Sequence, residues 1–102
     1  MGVAGVRREL CVYKLALEKW GRQAQLGMAI EEMAELIQAL NKFNRGKVSL
    51  DSISEEIADV EIMMEQLKEI FGNSTSVNLI KIEKINRLKA LLQSAKTKEV
   101  KP

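Results

Sequence analysis

From Ile53 to Phe71 the residues Ile53, Ile57, Val60, Met64, Leu67 and Phe71 follow one another at intervals of 4, 3, 4, 3 and 4. That is the period of a helix with one continuous apolar stripe, close to a coiled-coil seam. Ile30, Met33, Ile37 and Leu40 repeat the pattern at 3, 4 and 3, and Ile82, Ile85, Leu88 and Leu92 at 3, 3 and 4. No segment alternates with period two, so nothing reads as a half-buried strand. The expected fold is all-α, an antiparallel four-helix bundle.

The punctuation agrees. Proline stands only at the last position, and Gly21, Gly46 and Gly72 fall between the periodic segments. The helices are expected over about 6–20, 22–44, 52–71 and 76–95, with Gly46 just past the end of the second. Ser52 and Glu55 have the spacing of a capping box at the start of the third. The 102 residues suit one domain, 1–102, with residues 1–5 and 96–102 frayed. With 4% aromatic residues the core must be aliphatic and thin, which favours completion by oligomerisation.

Several classes of function drop out. The chain has no histidine, which removes histidine bases, Ser-His-Asp triads and histidine metal sites. A metal site would be oxygen-ligated and suited to Mg²⁺ or Mn²⁺. The single Cys11 cannot form an internal disulfide, which fits a reducing compartment and a cytoplasmic location. No apolar run approaches the length of a membrane span. The first ten residues lack the pattern of a secretory signal, and Val6 argues against myristoylation.

Charge is unevenly spread. Residues 51–71 carry seven acids against Lys68, a net of −6, whereas 74–102 carry seven Lys and Arg against two Glu, a net of +5. The pI of about 8.8 raises the question of nucleic-acid binding. That reading ranks low, because the acidic stretches would repel phosphate in the absence of a cation.

The glutamates of helices two and three are the most informative residues. A glutamate on a helix is usually solvated and often has Lys or Arg at i+4. Here Glu32 has Leu36 at that position, Glu35 has Ala39, Glu56 has Val60 and Asp59 has Met63. Glu31 meets Glu35, and Glu55 meets Asp59, as like-charge pairs. Glu32 and Glu35 share one helix face, as do Glu56 and Asp59, and each pair flanks an apolar seam. Antiparallel packing through those seams would bring four carboxylates together. They could then hold a divalent cation, or remain a solvated face.

At these residues the sequence resembles the MazG-like and dimeric dUTPase group of all-α nucleoside triphosphate pyrophosphohydrolases. The signature is EExxE followed by ExxD, here Glu31-Glu32-Met33-Ala34-Glu35, then 20 residues, then Glu56-Ile57-Ala58-Asp59. The flanks "WGRQAQLGMAIEEMAELIQAL" and "SEEIADVEIMMEQL" extend the likeness, which covers roughly residues 15–92. The resemblance implies Mg²⁺ held by Glu32, Glu35, Glu56 and Asp59, with Mn²⁺ as a possible substitute. Glu31 would be a further ligand or the base that orients water. The implied reaction cleaves a standard or aberrant nucleoside triphosphate between its α and β phosphates, releasing a monophosphate and pyrophosphate. It further implies phosphate-binding cations on the fourth helix, where Lys81, Lys84 and Arg87 are the candidates, ahead of Asn86 and of Lys47 in the loop before the third helix. A homodimer or homotetramer is expected. The longer dUTPase-type members have further helices and uridine motifs for which this chain has no room. The rival expectation is a non-enzymatic helical interaction module whose acidic and basic helices pair in an oligomer. Trp20 is either a base-stacking residue or, as favoured, a core plug between helices one and two. Met28, Met33, Met63 and Met64 read as core filling, and Cys11 as part of the apolar side of helix one.

Overall fold

The structure, a computed structural model, describes residues 2–100 and the side-chain surroundings of residues 11–95. Four helices follow in order: α1 (Gly2–Trp20), α2 (Arg22–Asn44), α3 (Leu50–Phe71) and α4 (Ser74–Val100). No strand occurs among the described residues, so the fold is all-α with four helices, as the periodicity predicts. No described helix is long and apolar enough to cross a membrane. The chain divides into two units, Met1–Gly72 with α1, α2 and α3, and Asn73–Pro102 with α4. Residues 1, 101 and 102 lie outside the described ones.

The helix ends follow from local chemistry. α1 and α2 are separated by Gly21 alone, whose φ of 86° lies where residues with a Cβ are strained. α2 ends in a Schellman clamp. The Lys47 N–H donates to the Lys42 carbonyl and the Gly46 N–H to the Phe43 carbonyl, each at 2.9 Å, with Gly46 at φ 69°. α3 starts one half-turn before the expected capping box. Its N-cap is Ser49, extended at φ −82° and ψ 164°, whose Oγ accepts the Ser52 N–H at 3.2 Å. Ser52 is thus the receiver of a cap rather than the cap itself, because the earlier serine already satisfies its amide.

α2 and α3 form an antiparallel hairpin. At one end the Arg22 guanidinium, in the first turn of α2, lies 5.1 Å from the ring centroid of Phe71 in the last turn of α3. At the other end residues 45–49 join the helices. The line that α2 turns inward is Gln25, Ala29, Leu36 and Ala39, with Glu32 between the alanines. The α3 line is Ile53, Glu56, Val60, Met63 and Gln66. α1 is tied to α3 by Gln66, whose Nε2 donates to the Tyr13 carbonyl at 2.8 Å.

The expected seams are therefore rotated. On α2 the inward face lies one residue from the expected stripe, and Ile30 and Ile37 are 65% and 62% exposed. On α3 Ile53 is buried and Val60 and Leu67 half-buried, but Ile57, Met64 and Phe71 are exposed. Of the methionines expected in the core, Met63 is buried, Met33 half-buried, and Met28 and Met64 exposed. Trp20 is 58% exposed, so it is no core plug between α1 and α2. Its ring instead lies beneath Lys19, whose Nζ is 5.4 Å from the centroid. Cys11 is exposed as well. The difference is one of size: the small alanines at 29 and 39 take the inward line of α2, and bulky residues such as Ile30 and Ile37 occupy the faces left over. Ala29 is only 1% exposed, so Ala29→Leu should overpack the hairpin. It is expected to destabilise by about 1–3 kcal/mol in urea unfolding, whereas Ala24→Leu on the exposed side of α2 stays within about 0.5 kcal/mol. Equal effects at both positions would contradict this packing face.

Candidate metal centre

The inward line of α2 places Glu32 one turn after Ala29, and Glu35 stands one turn further along the same side. α3 brings Glu56 to meet them one turn after Ile53. One carboxylate oxygen from each of Glu32, Glu35 and Glu56 can be chosen so that all three lie within 4.8 Å of one another. Glu32 and Glu56 are half-buried and Glu35 is exposed, so the triad sits at the edge of the hairpin contact, open on one side.

Two oxygens in this triad are orphaned. Oε2 of Glu32 and Oε2 of Glu56 are shielded from solvent and have no hydrogen-bond partner. Burial raises the pKa of both groups above the ordinary carboxylate value, and neighbouring charge adds to it. For Glu32 the added repulsion comes from Glu35, Asp59, Glu56 and Glu31, and for Glu56 from Glu35, Asp59 and Glu55. Both causes penalise the ionised form. Nothing in the surrounding hydrogen bonding offsets that penalty for the two orphaned oxygens, and a cation would. The donors are all carboxylate oxygens and one side is open for water, which fits Mg²⁺ or Mn²⁺ and does not fit zinc.

The remaining expected residues fall into two groups. Asp59 is exposed and outside the close triad, yet its charge reaches both Glu32 and Glu56. Glu31 is exposed beside Glu32 and contributes to its raised pKa. Lys81, Lys84 and Arg87 lie on α4, in the second unit, and all three are exposed, as are Asn86 and, in the first unit, Lys47.

Sequence reasoning missed the cleft next to the triad. A cavity of about 360 Å³ is lined by Glu35, Gln38, Ala39, Lys42, Val48, Ser52 and Glu56. Two of these are triad members, so cleft and triad share a wall. Lys42 continues the Glu32, Glu35, Ala39 line at intervals of 3, 4 and 3, a spacing that could have revealed it. A second, apolar groove of about 200 Å³ runs along α1 between Val12, Leu15, Ala16, Lys19 and Trp20.

The chain matches none of the protein-family models, curated proteins or solved structures with which it was compared.

The raised carboxyls give a signed pH dependence. The folded state holds the protons of Glu32 and Glu56 more tightly than the unfolded chain does. Their effect is therefore to lower stability as pH rises out of the ordinary carboxylate range, and to restore it as pH falls. In EDTA, Glu32→Gln should raise the melting temperature at neutral pH and flatten its change as pH rises above the ordinary carboxylate range. Mg²⁺ should raise the melting temperature of the unaltered protein and do so less for Glu35→Gln. A melting temperature indifferent to Mg²⁺ at millimolar concentration would rule against a cation at this triad.

Proposed function

We propose that this chain is a Mg²⁺-dependent nucleoside triphosphate pyrophosphohydrolase of the MazG-like type. The observation that carries the reading is the convergence of Glu32, Glu35 and Glu56 from two helices, with two orphaned oxygens, against an open cleft. The resemblance at EExxE and ExxD gives that geometry its chemical interpretation.

In this reading Glu32, Glu35 and Glu56 hold the cation, and Asp59 adds negative potential or a fourth oxygen. A bound Mg²⁺ supplies Lewis acidity toward the phosphate oxygens and neutralises charge that develops on them. Glu31, exposed beside the triad, orients the attacking water and takes up its proton. Water oxygen bonds to one of the two phosphorus atoms that flank the α–β bridge, that bridge breaks, and the products are a nucleoside monophosphate and pyrophosphate. With no histidine in the chain, a carboxylate is the available base. Lys81, Lys84 and Arg87 remain candidates for substrate phosphates. The role would be control of the nucleotide pool in the cytoplasm.

A second copy of the chain completes the fold in this reading. Among the described residues the buried apolar side chains are Ala29, Ala39, Ile53 and Met63, and only two of these are large. Ile30 and Ile37 on α2, and Leu79, Ile82, Ile85, Leu88 and Leu92 on α4, remain exposed. Covering one such side chain is worth about 1.5–3 kcal/mol, so self-association has a strong drive. The same exposure favours the rival reading of a non-enzymatic helical interaction module.

The test separates the two. Purified protein incubated with a panel of ribo- and deoxyribonucleoside triphosphates and Mg²⁺ should release monophosphate and pyrophosphate in equal amounts. Glu35→Gln, with helicity intact, should lower kcat at least about a hundredfold, equivalent to a few kcal/mol of transition-state stabilisation. An unaltered protein that turns over no nucleotide leaves the interaction module as the better reading. Light scattering should give a mass of two or more chains, and Ile37→Glu should shift it toward one. A monodisperse single chain at micromolar concentration would defeat the second-copy reading.

A further inference from the structure

We infer that the cleft beside the triad receives the β and γ phosphates of the substrate, the part that leaves as pyrophosphate, with Lys42 as the residue that binds them. The inference rests on the pyrophosphohydrolase reading and adds to it the direction in which the substrate lies. Three observations support it.

The first is the wall that cleft and triad share. Glu35 and Glu56 belong to both, so a ligand group in the cleft adjoins the proposed cation. Its volume of about 360 Å³ lies within the range of roughly 300–1,000 Å³ that holds small-molecule ligands.

The second is the chemistry of the lining. Gln38, Lys42 and Ser52 offer donors, while Ala39 and Val48 are the apolar contributors. There is no aromatic ring to stack on a nucleobase, which argues for the phosphate end rather than the base end. Val48 and Ser52 also bracket the first turn of α3, the positive end of a 22-residue helix. Ser49 engages the amides of Ser52 and Ile53 there, which leaves those of Leu50 and Asp51 without an intrahelical acceptor.

The third is the state of Lys42. It makes no ion pair among the described residues, although Glu35 and Glu56 line the same cleft. Its main chain is nonetheless fixed, because its carbonyl accepts the N–H groups of Arg45 and Lys47 at 3.1 and 2.9 Å. An ammonium group with an anchored backbone and no carboxylate partner is available to an anionic ligand.

The experiment measures binding and turnover side by side. Inorganic pyrophosphate with Mg²⁺ is titrated calorimetrically into the unaltered protein, Lys42→Met and, as a control, Lys14→Met on α1. A nucleoside monophosphate is titrated in parallel. Lys42→Met is expected to weaken pyrophosphate at least about tenfold, leave the monophosphate within about twofold, and raise the KM for triphosphate more than it lowers kcat. Lys14→Met is expected to behave as the unaltered protein. Turnover with unchanged pyrophosphate affinity in Lys42→Met overturns the inference and leaves the pyrophosphohydrolase reading standing. So does a loss confined to the monophosphate, which would assign the cleft to the nucleoside. Lys42-dependent pyrophosphate binding without turnover of any triphosphate keeps the cleft assignment and overturns the reaction. Lys42→Arg, which keeps the charge, should recover most of the pyrophosphate affinity, and failure to do so would also count against a direct phosphate contact.

Discussion

The contact between α2 and α3 is lined on the α2 side by two buried alanines, and the rest of the first unit follows from that. Ala29 and Ala39 sit where a helical hairpin would usually place leucines, and Glu32 lies between them. The packing carries Glu32 and Glu56 into surroundings where water no longer solvates one oxygen of each. Helix packing and carboxylate hydration compete directly here. Packing is spread along both helices, whereas the electrostatic cost is concentrated at one level of the hairpin. A cation at that level, as proposed above, would relieve the cost.

The same choice of face explains the thin core. Turning the alanines and glutamates inward turns Ile30 and Ile37 outward, since neighbouring positions on a helix point about 100° apart. Polar devices also hold the first unit together. Gln66 reaches the Tyr13 carbonyl, Arg22 covers the Phe71 ring, and Ser49 and Gly46 close the two helix ends that face each other. Each is worth about a kilocalorie per mole or two, far less than a set of buried leucines.

Much of this was legible in the chain. The ends of α2 followed from Gly21 and Gly46, because a left-handed residue after a periodic run has few alternatives. The start of α3 was harder, since Ser49 and Ser52 are both competent caps and only the backbone of Ser49 decides between them. Glu32, Glu35 and Glu56 were marked by the absence of basic partners at i+4. Periodicity could not tell which of two adjacent stripes faces inward, because it registers hydrophobicity and not size. An apolar seam that serves another surface looks the same as a core seam, so Ile37 and Met64 were misplaced inward. Lys42 was missed because a lysine near a helix C-terminus already has an ordinary reason to be there, its attraction to the helix dipole.

The hairpin has one more consequence, and it concerns time. Glu32, Glu35, Lys42, Ser52 and Glu56 all belong to two consecutive helices joined by residues 45–49. Contacts so near in sequence form early in folding, with little loop entropy to overcome, and helical units of low contact order reach their native state in microseconds to milliseconds. One short connection is thus enough to bring the acids of both helices together. Unneutralised, their mutual repulsion would oppose that closure. On the proposed reading, the divalent cations around the chain would ease the closing of α2 onto α3.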